Sequence, residues 1–136
     1  MYQFNYKKVE TVQEAVNELS ANPESKILAG GMTLIPTMKQ RLASPEQLID
    51  IRNIEELNFI REESNNIIIG STTNHYTVSS SDLIREKIPS LSMLAEGIGD
   101  PHVRNMGTIG GAISNNDPTA DYPAACQGLG AKKKTS

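Results

Sequence analysis

The sequence predicts an α+β fold in two lobes, a small parallel α/β lobe over residues 1–52 and an antiparallel α+β lobe over residues 53–136. Three observations carry this. Strand-like and helix-like segments alternate through the first fifty residues. Two apolar runs joined by Glu63-Ser64-Asn65-Asn66 come next, and a glycine-rich stretch over residues 104–123 follows.

The elements of the first lobe follow in order. "YQFNY" (2–6) has the composition of an edge strand. "TVQEAVNELSAN" (11–22) is a helix: Thr11 and Glu14 have capping-box spacing, and Val12, Ala15, Val16 and Leu19 share one face. "KILAGG" (26–31) is a short buried strand ending in a glycine pair. "TLIPTMKQRLA" (33–43) is a helix that tolerates Pro36 only near its first turn. "EQLIDI" (46–51) completes a β-α-β-α-β order, which predicts a small parallel sheet covered by helices. Beyond a boundary near "IRNIEE", "LNFIREESNNIIIGST" (57–72) predicts an antiparallel hairpin. "SSDLIREKI" (80–88) and "PSLSMLAEGIG" (89–99) predict two helices ahead of the glycine-rich stretch.

Composition narrows the function classes. A net charge of −3 offers no electrostatic case for nucleic acid or an anionic membrane. The longest apolar runs, such as "IIIG", are far too short to span a bilayer, and "MYQFNYKKVE" lacks the apolar core of a signal peptide. The one cysteine, Cys126, excludes an internal disulfide and suits a reducing, cytoplasmic setting. It also excludes an iron–sulfur cluster held by this chain alone, which needs about four cysteine ligands. The tail "LGAKKKTS" begins like an element and stops, so the second lobe is expected to be truncated and the sequence part of a longer chain.

Two glycine turns stand out. In "AGGMTLIP" (29–36) a strand runs through Gly30-Gly31 into a helix, where glycines permit positive φ and the helix start offers N–H groups to an anion. "GTIGGAIS" (107–114) has a second pair, Gly110-Gly111. Either pair alone is ordinary turn chemistry. The competing phosphate motifs fail: Gly97-Ile98-Gly99 lacks the third glycine of a dinucleotide fingerprint, and no P-loop lysine follows any glycine run. Two such turns without neighbouring lysine or arginine suit a diphosphate held by backbone donors from two directions.

These residues carry a resemblance. "KILAGGMTLIPTMKQRLASPEQLIDI", "IIIGSTTNH" and "IGDPHVRNMGTIGGAISNNDPTADYPAA" resemble the FAD-binding medium subunit of molybdenum hydroxylases, of the carbon monoxide dehydrogenase and xanthine dehydrogenase type. That family lies within the vanillyl-alcohol-oxidase-like flavoprotein superfamily. The resemblance implies two α+β lobes with FAD between them and its pyrophosphate against both turns. By position it implies a first FAD loop of Ile27, Leu28, Ala29, Gly30, Gly31, Met32, Thr33 and Leu34, and a second of Thr108, Ile109, Gly110, Gly111 and Ala112. It places Ile98 as an apolar contact and Asp121 as a carboxylate accepting from ribityl or ribose hydroxyls. Met32, Ala112 and Met106 depart from the small polar, polar and arginine residues frequent in the family.

The activity the resemblance implies is electron transfer by one subunit of a hetero-oligomeric oxidoreductase. A molybdopterin-binding large subunit would hydroxylate the substrate, and a small subunit would carry the iron–sulfur clusters. This chain would position FAD, which needs no catalytic side chain here. Two other readings are a stand-alone flavin oxidase of the wider superfamily and a non-catalytic fragment serving assembly. The remaining polar residues have plainer roles. His75 and His102 lack further ligands for a metal, and His75 is expected at a strand end near the cofactor. Arg104 suits packing as well as a phosphate. Asp117 before Pro118 suits a turn, Cys126 a small buried apolar role, and "KKK" (132–134) a solvated end.

Overall fold

Leu48 and Ile49 point to opposite faces of one strand and both are buried, which marks that strand as central and covered on two sides. The computed structural model, which describes residues 1–135, places this strand, β3 (Gln47–Asp50), between β1 (Asn5–Lys8) and β2 (Ser25–Leu28). All pairings are parallel, with Tyr6 opposite Leu48 and Ile27 opposite Ile49. β1 is an edge strand, as expected, with its four residues exposed.

Helix α1 (Val12–Ala21) covers one face, where Ala15 packs with Val9, Ile49 and Ile54. Thr11 caps it by accepting from the Glu14 N–H at 3.1 Å, while Glu14 reaches back to the Glu10 N–H at 2.9 Å. Helix α2 (Leu34–Lys39) covers the other face, with Met38 against Leu28 and Leu48. Pro36 lies in its first turn. The helix ends earlier than the sequence pattern implies because Arg41 takes φ +61° and turns the chain toward β3. At the end of β3 the Asp50 carboxylate is buried. It accepts from Arg52 Nε at 3.0 Å, from the Arg52 N–H at 2.9 Å and from the Tyr6 hydroxyl.

Val16 and Leu19 depart from expectation. They remain 47% and 40% exposed and border an apolar groove with Ile27, Ile51, Ile54 and Leu57. The face is apolar as the spacing predicts, but among the described residues nothing covers it.

A 3-10 turn (Glu55–Leu57) leads to the predicted hairpin, β4 (Ile60–Glu63) and β5 (Asn66–Ile69). Ser64 and Asn65 take φ 48° and 64°, the pair of positive values that a two-residue type I′ turn requires. The chain then forms α3 (His75–Ser80), α4 (Asp82–Lys87), α5 (Pro89–Gly97), α6 (Pro101–Met106), α7 (Ile109–Asn115) and α8 (Asp121–Gly128). Their core is Val78, Ile84, Leu91, Ala95, Ile109 and Tyr122, with Ile60, Ile67 and Ile69 of the hairpin packed against it. α4 and α5 match the predicted helices. α3, α6, α7 and α8 lack a sustained apolar period, and three of them are started instead by capping side chains: Asn74, Asp100 and Thr108 accept from Thr77, Val103 and Gly111.

Candidate cofactor-binding site

The first glycine turn leaves the sheet at Ala29 and enters α2 at Leu34. Gly31 has φ +73°, the left-handed region that favours glycine. Gly30 is glycine for another reason: a Cβ there would strike the Met106 carbonyl and lie 2.7 Å from Gly107 Cα. The first turn therefore rests directly on the backbone entering the second glycine segment. Gly111 closes the approach from the other side, since a Cβ on it would sit 4.0 Å from the Ala29 Cβ. Two segments about eighty residues apart in sequence thus meet through bare backbone.

Their hydrogen bonding differs. The N–H groups of Gly30, Gly31, Met32, Thr33 and Leu34 donate to no backbone acceptor among the described residues, and the Thr33 side chain makes no cap bond. Met32 and Thr33 are exposed. The turn is thus a row of free donors beside open solvent, which suits an anion with several acceptor oxygens. In the second segment the donors are taken: Ile109 N–H bonds Thr73 O at 3.0 Å, Gly110 N–H bonds Ser71 O at 2.9 Å, and Ala112 N–H bonds Thr108 O at 3.0 Å. The Gly111 N–H donates to Thr108 Oγ1 at 3.1 Å, leaving the proton of that hydroxyl to point elsewhere. Gly110 is required because a Cβ would lie 2.5 Å from Ser71 O. The sequence predicts two equivalent backbone cradles; the structure has one row of free donors and one close-packed wall.

The other site residues are placed as follows. Ile27 and Leu28 belong to β2 and lead into the turn. Ile98 ends α5 and packs partly against the helical core, its carbonyl accepting from Arg104 Nη1 at 3.1 Å. Arg104 thus braces the end of α5 by hydrogen-bonding the carbonyls of Ile98 and Gly99. Asp121 is the first residue of α8 and exposed, free to accept hydrogen bonds. Asp117 forms the expected turn, accepting from the Thr119 N–H at 2.9 Å and the Thr119 hydroxyl at 2.7 Å.

His75 is not at a strand end. It opens α3 in a buried position, because the Asn74 side chain both caps α3 and donates to Asn105 O at 3.0 Å, drawing α3 beneath the second segment. The His75 N–H donates to Gly107 O at 3.0 Å, and its ring lies 5.3 Å from that of Tyr122, centroid to centroid. Burial pushes the imidazole pKa down. Burial likewise raises the Tyr122 phenol, with the charges of Cys126 and Asp121 adding to it, and burial raises the Cys126 thiol. The sequence places His75 near the cofactor, but nothing in it singles out Asn74 or Tyr122 as supports of the site. The Asn-x-x-Thr cap spacing in "NHYT" is the one local signal for α3. Among the described residues no group of His, Cys, Asp and Glu could hold a metal ion, and no helix is long and apolar enough to cross a membrane.

The comparisons with known proteins agree on one family. The chain is 42% identical over 129 residues to the glyceraldehyde dehydrogenase medium chain of Sulfolobus acidocaldarius, covering 95% of this chain and 46% of that protein. It is 45% identical over 122 residues to the carbon monoxide dehydrogenase medium chain of Hydrogenophaga pseudoflava, covering 89% and 42%. The fold matches that of reconstituted CO dehydrogenase from Oligotropha carboxidovorans with a TM-score of 0.92 at 42% identity, covering 95% of this chain and 46% of that one. The chain spans just under half the length of these relatives. The model of the FAD binding domain in molybdopterin dehydrogenase matches residues 2–136. With the parallel and antiparallel sheets, the paired glycine segments and these relatives agreeing, the chain belongs to the family of FAD-binding domains in molybdopterin dehydrogenases.

Proposed function

We propose that this chain holds the FAD of a multi-subunit molybdenum hydroxylase and takes part in passing electrons from iron–sulfur clusters to an external acceptor. The observation that supports the reading is the contact of Gly30 with Met106 and Gly107 beside a row of free amides, an arrangement suited to a diphosphate held between two lobes, residues 1–52 and 53–136. In this reading the amides of Gly30 to Leu34 hold the pyrophosphate and the Thr108 hydroxyl donates to it from the opposite side. Gly110, Gly111 and Ala112 keep that side low enough for a close approach. Asp121 accepts from ribityl or ribose hydroxyls, and Ile98 supplies an apolar contact. FAD, when bound, supplies the two-electron chemistry that a side chain cannot.

The partners in this reading are a molybdopterin-binding large subunit and an iron–sulfur small subunit, in a cytoplasmic hetero-oligomer. One half-buried thiol, Cys126, is too little for a cluster within these residues, and in this reading the clusters reside on a partner. Reconstituting the full-length, cofactor-free protein with FAD or NADH tests the proposal. We expect a yellow, stoichiometric FAD complex, with Gly31→Ala losing at least tenfold in FAD affinity for a small loss of thermal stability. A colourless protein that binds NADH tightly overturns it.

A further inference from the structure

His75 and Tyr122 are buried, and each carries a polar atom, Nδ1 and the hydroxyl oxygen, with no hydrogen-bond partner. Leaving such atoms unpaired is unfavourable, and aliphatic side chains would avoid that loss but would not keep two flat rings in contact. Core packing alone therefore does not account for this pair. Its position does. Gly107 is pressed on one side by Gly30 and on the other by the His75 ring, where a Cβ would come within 2.6 Å of Nε2. The His75 ring in turn lies against Tyr122, which follows Asp121 in the first turn of α8. A continuous column thus runs from the first glycine turn through Gly107, His75 and Tyr122 to the Asp121 backbone. The free amides stand at one end and an exposed carboxylate at the other.

We propose that His75 and Tyr122 are positioning residues that fix the distance between the pyrophosphate cradle and the Asp121 carboxylate, so that one dinucleotide meets both. The proposal rests on the FAD reading above and adds residues that touch no part of the cofactor. Because close-packed side chains transmit displacement, loss of the His75 ring lets α8 move relative to the cradle. Affinity then falls through Asp121.

A double-mutant cycle on the full-length, cofactor-free protein tests this, with FAD affinity read by flavin fluorescence and stability by melting of the FAD-free forms. We expect His75→Leu and Asp121→Ala each to weaken FAD binding at least tenfold. The double variant should bind no more weakly than the weaker single variant, because both remove the same contact. Tyr122→Phe, which keeps the ring, should bind FAD within twofold of the parent. Additive losses in the double variant, or wild-type affinity in His75→Leu, overturn the proposal. If His75→Leu does not fold, His75→Gln replaces it in the cycle under the same criteria. A parent protein that binds no FAD refutes the underlying FAD reading, whereas a parent that binds FAD with an additive cycle refutes the positioning role alone.

Discussion

Adding one methyl group at Gly30 drives it into the Met106 carbonyl, and backbone lies on both sides of the clash. The same addition at Gly31 meets only side-chain atoms, Ile35 Cγ1 and Leu28 Cδ1 at 3.0 and 3.1 Å, but forces an L-residue to hold φ +73°. Overpacking that moves backbone costs about 3 kcal/mol, while a left-handed residue costs about 1 kcal/mol. Denaturant melts of the FAD-free protein should therefore rank Gly30→Ala well below Gly31→Ala in stability. Asp50 gives a second expectation at this scale. Burial pushes its pKa up, but the hydrogen bonds from Arg52 and Tyr6 outweigh it and hold the carboxyl at about 2, below its ordinary 3.8. The depressed value means that the stabilisation is complete above pH 3.8 and is lost as pH falls toward 2. Its size is on the order of 2 kcal/mol. Asp50→Asn should flatten that part of an acid-unfolding curve and lower stability at neutral pH, as followed by circular dichroism.

The hairpin β4–β5 shows what the sequence discloses at the level of elements. Its alternating apolar runs and polar turn are local features, so both strands are legible from residues 57–72. The turn itself is a compromise: Ser64 at φ 48° is a poor left-handed residue beside Asn65 at φ 64°. Replacing Ser64-Asn65 by Asn-Gly should stabilise the protein by ~0.5 kcal/mol in thermal melts and leave FAD affinity unchanged, since the turn lies outside the cradle. The parallel strands, α1 and α2 were legible for the same local reasons, and so were the glycines of the first turn. The helices of the second lobe were not. α7 begins at Ile109 with two glycines in its first turn, and glycine is about 1 kcal/mol worse than alanine in a helix. What makes it helical is the Thr108 cap together with the bonds from Ile109 to Thr73 and Gly110 to Ser71, contacts more than thirty residues away. The support from His75 and Tyr122 was hidden likewise, because nothing in "TTNHYT" announces that its ring meets residue 122.

At the scale of the molecule, the groove beside α1 is the largest departure from a simple inside–outside pattern. Val16, Leu19 and Ile27 leave apolar surface in water on the face of the first lobe defined by α1 and β2. Leu19→Glu should reduce binding of a hydrophobic dye and light scattering in concentrated samples, with FAD affinity unchanged. The sheet order β1-β3-β2 carries another consequence. β1 and β2 come first in this lobe yet are never neighbours; among the described residues each pairs only with residues 47–50. No hairpin can nucleate this lobe early, so its first long-range pairing waits until residues 47–50 have been synthesised. Until then the Gly30-Gly31 turn has no strand to hold it and no wall to rest on. A ligand met during synthesis would find neither lobe shaped to receive it. The cradle is therefore a late product of folding, assembled only after both of its distant halves exist.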